Sequence, residues 1–183
     1  MIKYQIGENM VSLEQIKISL ENNQYLTDDI KDNLFELTQI FNKTFNNVDL
    51  SNLNERFKTL KVIRGSKFLI RNSSFYNPID NELLISLSKI DDDMDCKHIL
   101  MRELLNIITA KDNYTGFNIN NEYEALNIGY TEILTNLLVG NEGKDEFENE
   151  IIAANLLTNI IGEDNMYNAY FNNDISKIIA SVS

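Results

Sequence analysis

At 183 residues and 21.1 kDa the chain suits one globular domain, and its 43% apolar residues suffice for a core and exclude wholesale disorder. Sixteen Lys and Arg against 28 Asp and Glu give a formal net charge of −12. A field of this sign repels phosphate, which argues against direct binding of nucleic acid or of an anionic membrane. A protein partner, and in particular a basic one, suits the charge better.

The single cysteine, Cys96, excludes an internal disulfide and every zinc motif built on several cysteines. The sequence starts without the continuous apolar stretch of a signal peptide. Its most apolar run, 151–161, is interrupted by two asparagines and is too short to span a bilayer. We therefore expect a cytoplasmic protein without a membrane segment.

The first part of the chain, about 1–59, is predicted to be helical. Ser12 and Gln15 have the spacing of a capping box, which predicts the start of a short helix. Thr27 is then predicted to cap a longer helix, 28–45, in which the apolar residues recur at helical spacing.

The middle of the chain changes from helical to strand-like patterning after a third predicted helix at 51–60. Short apolar runs predict strands at 60–63, 67–71 and 82–88, with a possible turn at 65–66. Asn77-Pro78 predicts another turn, because the residue before a proline is pushed away from helical geometry.

From residue 93 onward the spacing of apolar residues is helical again. It predicts four helices, at 94–110, 122–139, 146–161 and 164–182, with a break in the last near 172–174. Helices, a small sheet and then more helices is the order of an α+β protein, mostly helical, rather than of an alternating βαβ protein. With no internal repeat and no linker, we expect a single domain, 1–183.

Two stretches in the second half of the chain resemble a known pair of helices. The first, 96–110, contains Arg102-Glu-Leu-Leu-Asn106, and the second, 123–137, contains Asn127-Ile-Gly-Tyr-Thr-Glu132. Together they resemble the gluzincin-type zinc metallopeptidases, in which His-Glu-x-x-His on one helix is followed by Leu-Asn-Glu-Gly-x-Thr-Glu on the next. The resemblance covers about 60–180 and implies a zincin-like core, a small sheet packed on helices, at about 60–183.

The chemistry of that family explains the pattern. Two His one helical turn apart bind zinc from the same face, and the Glu between them acts as general base for the metal-bound water. A Glu on the next helix is the third ligand, and a further acid one turn on orients a ligand His. The resemblance also implies that the predicted strand 82–88 is the sheet edge beside this site.

This chain departs from the family at all three zinc ligands. Arg102 and Asn106 stand at the two His positions and Ile128 at the third ligand, while Glu103 and Glu132 remain at the base and orienting positions. A Glu without zinc has no activated water to use, and an Arg cation disfavours a divalent metal. The resemblance therefore implies a pseudopeptidase without catalytic residues, zinc or another cofactor, which acts by binding a protein.

The same comparison predicts what has replaced the metal. Two carboxylates that face a partly buried space repel each other unless a cation lies between them. We therefore expect an ion pair between the Arg102 guanidinium and Glu132, with Glu103 as a further partner.

Three other interpretations remain open. The chain could be an acidic phage or mobile-element protein that inhibits a nucleic-acid-binding host protein by presenting carboxylates where phosphates would lie, which requires acids clustered on one face. It could be an enzyme with a different metal site, although His98 is the only histidine. Finally, 96–110 and 123–137 could be an ordinary amphipathic helix pair, which accounts for the apolar residues of the first but not for the string 127–132.

Smaller candidates fit structural roles better. Cys96 and His98 point about 200° apart on a helix, at ~100° per residue, so they do not form a nucleophile and base or a shared metal site. We expect a partly exposed histidine and a semi-buried cysteine. The acidic run 91–95 lacks the spacing of a calcium loop, and it is predicted to favour the start of the following helix.

Overall fold

The computed structural model describes residues 11–65, 73–86, 93–119, 122–140 and 147–182. In these residues three helices are followed by a three-stranded sheet and then by five more helices. The elements are α1 Leu13–Glu21, α2 Asp28–Thr44, α3 Ser51–Phe57, β1 Lys61–Gly65, β2 Ser74–Asn77, β3 Glu82–Ser86, α4 Asp93–Ile108, α5 Glu124–Val139, α6 Glu148–Ile161, α7 Glu163–Phe171 and α8 Ser176–Val182. The architecture is mixed α+β and mostly helical, which confirms the predicted fold class at this level.

The N-terminal helices begin close to where the sequence predicts. The backbone N–H of Gln15 donates to Ser12 Oγ over 3.2 Å, and the Ser12 N–H donates to Gln15 Oε1 over 2.9 Å, which confirms the capping box. Thr27 is the N-cap residue of α2, but its side chain makes no capping hydrogen bond, so the predicted cap is wrong in that respect. Two acids in the first turn of α2 are placed to favour the helix dipole instead.

The sheet has the order β1-β3-β2. β1 pairs with β3 in parallel, from Lys61 opposite Glu82 to Gly65 opposite Ser86, and β2 pairs with β3 in the antiparallel sense. The prediction that strand 82–88 is the sheet edge is therefore wrong, because β3 is hydrogen-bonded on both sides. The predicted strand 67–71 lies outside the described residues.

β2 is a strand that the sequence pattern does not predict. It has only four residues, Ser-Phe-Tyr-Asn, and ends where the predicted turn at Asn77-Pro78 begins. Ser74 and Tyr76 are buried and Phe75 is exposed, so the side chains alternate between the buried and the exposed face of the strand. Only one large side chain, that of Tyr76, packs into the core from this strand. Its inner face carries a serine because it packs beside polar side chains of α4.

α4 is the central helix of the fold. It packs against α2, α3, α5 and β2, and its apolar residues Ile99, Leu100, Leu104, Ile107 and Ile108 are all buried. The side chain of Asn52 on α3 donates to the carbonyl oxygens of Ile107, Ile108 and Ala110 over 3.2, 3.2 and 2.8 Å. These carbonyls lie at and just beyond the end of α4, where helix carbonyls have no partner within the helix, so Asn52 fixes the C-terminus of α4.

The C-terminal helices are separated at two places. α6 ends at Gly162, whose φ of +92° a residue with a side chain rarely adopts. The predicted break near 172–174 is confirmed, because α7 ends at Phe171 and α8 starts at Ser176. No helix in the described part of the chain is long and apolar enough to cross a membrane.

Candidate functional site

A small polar cavity of about 90 Å³ lies at the junction of α4, α5 and β2. Its walls include Arg102, Glu103 and Asn106 of α4, Ile128 of α5 and Ser74 of β2. The two sequence motifs are therefore brought together in space, and four of the five predicted site positions line one cavity. The fifth, Glu132, is one helical turn beyond Ile128 and is hydrogen-bonded to Arg102.

Arg102 forms the predicted ion pair. Its Nη1 lies 2.7 Å from Glu132 Oε1, and its Nε lies 3.5 Å from Glu103 Oε1. The three side chains are only 8%, 5% and 3% exposed, respectively, so the charges are almost completely removed from water. The guanidinium thus lies between two buried carboxylates, as expected from the sequence, and compensates for their repulsion.

The guanidinium has three further contacts that the sequence does not predict. Its Nη2 donates to Ser74 Oγ over 2.9 Å and to Ser73 Oγ, and its Cζ lies 5.2 Å from the centroid of the Phe147 ring. A planar fork of donors can satisfy a carboxylate and two hydroxyl groups at once, and an aromatic face favours the cation. Arg102 thereby joins α4, α5, β2 and the residue preceding α6.

Glu103, which the resemblance aligns with the catalytic base, accepts a hydrogen bond at each carboxylate oxygen. Its Oε1 accepts from the Ser74 hydroxyl and its Oε2 accepts from Asn106 Nδ2 over 3.1 Å. Asn106, which the resemblance aligns with the second His, thus donates to the neighbouring carboxylate. Asn106 Oδ1, by contrast, is buried without a hydrogen-bond partner among the described residues.

His98 lies nearer to this network than the sequence predicts. Its Nε2 is 3.0 Å from Asn136 Oδ1 and 3.5 Å from Glu132 Oε2, and its side chain is 14% exposed. His98 precedes Arg102 by four residues on α4, a spacing that places both side chains on one face and could have indicated the contact. Cys96 is partly buried against the core, as predicted.

The residues of this site do not fit zinc. The side chains of Asn106 and Ile128 offer none of the nitrogen, sulfur or carboxylate donors that zinc prefers, and the Arg102 guanidinium lies between the two acids. Within the described ranges no group of three His, Cys, Asp or Glu side chains is placed to hold a metal ion. The chemistry that the arrangement supports is hydrogen bonding and charge compensation.

The string 127–132 has a structural explanation in the packing of α5. Asn127 Oδ1 accepts from the backbone N–H of Phe117 over 2.9 Å, and Thr131 Oγ1 lies 2.8 Å from the Tyr170 hydroxyl. The ring of Tyr130 packs against those of Phe117 and Tyr170, with centroids 5.5 and 5.3 Å away. The string therefore fixes α5 against the 109–119 segment and α7.

Gly129, within the same string, lies where α5 approaches the backbone of α6 closely. A Cβ at this position would lie 2.0 Å from the carbonyl oxygen of Glu150 and 2.4 Å from its carbonyl carbon. Real Cβ atoms do not come so close to backbone, so only glycine permits this crossing.

Burial also raises the pKa of three tyrosines near the site. The pKa of Tyr76 is raised to about 12, chiefly by burial, although the nearby Arg56 guanidinium lowers it. Burial likewise raises the pKa of Tyr130 and of Tyr170, although the hydrogen bond between Tyr170 and Thr131 lowers the pKa of Tyr170. The neutral form of each phenol is therefore favoured in the folded protein.

Alkaline titration should show this effect. A raised pKa in the folded state stabilises the protein below the usual tyrosine pKa of about 10, and that stability is lost as the pH rises toward 12. We expect the tyrosinate absorbance of wild type minus that of Tyr76→Phe to appear near pH 12, or abruptly at alkaline unfolding if that comes first. A difference that appears near pH 10 in protein that circular dichroism shows to be folded would contradict the burial of Tyr76.

Comparison with known proteins identifies no family for this chain. No family model matches the sequence, and neither a curated protein nor a solved structure is significantly similar to it. The function must therefore be inferred from the residues and contacts described above.

Proposed function

We propose that the protein is a catalytically inactive, metallopeptidase-like protein that has a zincin-like core and acts by binding another protein. The observation that carries this proposal is the cavity at which the motifs 102–106 and 127–132 meet. A chance resemblance of two separate stretches to a peptidase would not require their matching positions to face one cavity. Their meeting there is what a shared ancestral site would produce.

The contacts of Arg102 and Glu103 support the inactive state. The cation compensates for the charge of Glu103 and Glu132, so it takes the electrostatic role that zinc has in an active enzyme. Glu103 accepts hydrogen bonds at both oxygens from Ser74 and Asn106, which leaves the carboxylate bound to the protein rather than to a reactant. A peptidase-like fold that lacks the catalytic groups can still bind another protein through its surface, and this is the function that we propose.

The nucleic-acid mimic stays a prediction from net charge alone. It would need carboxylates exposed on one face, and Glu103 and Glu132 are buried against Arg102. No observation favours it over the peptidase-like scaffold.

The proposal can be tested by rebuilding the metal site. Arg102→His, Asn106→His and Ile128→Glu together should place two imidazoles and one carboxylate around a common point, with Glu132 able to orient one imidazole. We expect the triple variant to bind one zinc ion per chain, measured by calorimetry. Peptidase activity is not required, because a site that is about 1 Å too loose binds metal without catalysis.

The double variant Arg102→His, Asn106→His is the matched control. It lacks the ligand from α5, so its zinc affinity should be at least about tenfold weaker, ~1.4 kcal/mol, than that of the triple variant. A triple variant that circular dichroism shows to be folded, yet binds zinc no better than wild type, would overturn the zincin-like core. About one zinc per chain in purified wild type would overturn the inactive state.

A further inference from the structure

The outer face of α6 carries an apolar ridge, which comprises Ile152, Leu156 and Ile160. These side chains are 50%, 60% and 70% exposed and follow one another at intervals of four residues. At about 100° per residue they share one face, roughly opposite the buried Ala154 and Ile161. The ridge is therefore not part of the core that α6 forms with its neighbours.

The inner face of α6 is already occupied. It packs against α5, α7 and α8, and Gly129 of α5 meets the backbone at Glu150. Single exposed apolar residues are ordinary, but three large ones in a row on one helix form a contiguous apolar strip of the kind used for protein contacts. At 1.5 Å per residue the ridge is about 12 Å long.

The charged residues closest to the ridge in the sequence are all acidic. Residues 151–162 contain no charged side chain, and the segment 145–176 contains seven Asp or Glu and no Lys or Arg. Glu148 lies one turn before Ile152 on the same face of α6, and Glu163 and Asp164 follow α6 in the first turn of α7. An uncharged apolar strip thus has acidic residues at both ends.

This arrangement disfavours a second copy of the chain as the occupant. If two α6 ridges packed antiparallel, the acidic start of α6 in one copy would approach the acidic start of α7 in the other, and a parallel pair would also bring like charges together. Each copy carries a net charge of −12 in addition. Like charges placed opposite each other across an interface are unfavourable, whereas opposite charges favour association and fix its register.

We propose that the α6 ridge binds an amphipathic helix of another protein, with apolar residues at the same four-residue spacing and with Lys or Arg at both ends. Apolar residues would cover Ile152, Leu156 and Ile160, and the basic ends would meet the acidic residues that flank the ridge. This inference rests on the proposed role in protein binding, but it uses a surface outside the cavity and is independent of the zincin-like core.

Two synthetic helical peptides test the proposal. Both carry leucines at the spacing of the ridge; one has two lysines at each end and the other has two glutamates there. We expect fluorescence anisotropy to show binding of the lysine peptide at least about tenfold tighter than that of the glutamate peptide, and weaker binding as salt is added.

A matched pair of variants locates the site. Ile160→Gln should weaken binding of the lysine peptide by at least about fivefold, because it removes the most exposed apolar side chain of the ridge from the interface. Ile79→Gln is the control, since Ile79 is 72% exposed in the turn between β2 and β3, far from α6 in sequence. It should change the affinity less than about twofold, as expected for a residue outside the interface.

Three results would overturn the proposal. Equal affinity for the two peptides would mean that the flanking acidic residues do not select a basic partner. Equal effects of Ile160→Gln and Ile79→Gln would mean that the ridge is not the binding site. A dimer of the wild-type chain in solution that Ile160→Gln converts to monomer would show that a second copy covers it. None of these results affects the zinc experiment on Arg102, Asn106 and Ile128, so the two proposals fail separately.

Discussion

Replacing Arg102 by alanine should lower the free energy of unfolding by about 3–5 kcal/mol, because two buried carboxylates lose their counter-charge. Glu132 and Glu103 are 5% and 3% exposed, so water cannot take over from the guanidinium without rearrangement. The hydroxyl groups of Ser73 and Ser74 lose a donor at the same time. Urea denaturation followed by circular dichroism measures the effect.

Lys97→Ala is the control for the removal of a positive charge from α4. Lys97 Nζ lies 2.8 Å from Glu36 Oε1, but the two side chains are 43% and 51% exposed. Solvent screens such a pair, so its removal should cost no more than about 1 kcal/mol. Effects of equal, small size for Arg102→Ala and Lys97→Ala would mean that the buried ion pair does not exist.

A second substitution distinguishes two causes of the lost stability, the carboxylates left without a counter-charge and the loss of packing by the Arg102 side chain. In the background of Arg102→Ala, Glu132→Gln removes one of the two carboxylates that the first change leaves without a counter-charge. We expect it to restore part of the lost stability, although Glu132→Gln in wild type should be destabilising. If Glu132→Gln is equally destabilising in both backgrounds, then Arg102 and Glu132 are not coupled.

Gly129→Ala should lower the free energy of unfolding by about 3 kcal/mol or more. The new Cβ would lie 2.0 Å from the Glu150 carbonyl oxygen, which belongs to helix backbone and cannot rotate away as a side chain would. The helices α5 and α6 must then separate, with loss of packing along their interface. Thermal unfolding followed by circular dichroism measures the loss.

Helix propensity alone predicts the opposite result for Gly129→Ala, namely a more stable protein. In an open helical position Gly→Ala stabilises by about 1 kcal/mol, so only the close contact can make Gly129→Ala unfavourable. The reverse change at an exposed position in the first turn of the same helix, Ala125→Gly, should cost at most about 1 kcal/mol and bounds the effect of helix propensity in α5. A Gly129→Ala protein more stable than wild type would mean that α5 and α6 do not meet there.

The helices could be predicted because their signals are local. The capping box of Ser12 and Gln15 and the apolar repeat of α2 and α4 depend on residues within a few positions of each other. β2 could not be predicted in this way, because its four residues hold few apolar side chains. Its position beside β3 depends on hydrogen bonds to a strand that follows in the chain.

The site could be predicted only in part, for the same physical reason. Arg102 and Glu132 were paired through a resemblance that places their helices together. The contacts of the Arg102 guanidinium with Ser73, Ser74 and Phe147 depend on how β2 and the start of α6 pack against α4. No residue spacing in the sequence predicts that packing. The contact of His98 with the network follows from its position one turn before Arg102, a signal that was present in the sequence.

The ion pair also limits how this sequence can change over evolutionary time. Arg102→His alone would weaken the counter-charge of Glu103 and Glu132, and Ile128→Glu alone would add a third acid to the same cavity. Asn106→His alone would remove the amide that donates to Glu103. Each single step toward a set of metal ligands is therefore destabilising before the set is complete. With the guanidinium between the two acids, a metal site at these positions would require several changes at once, because each change made alone is unfavourable.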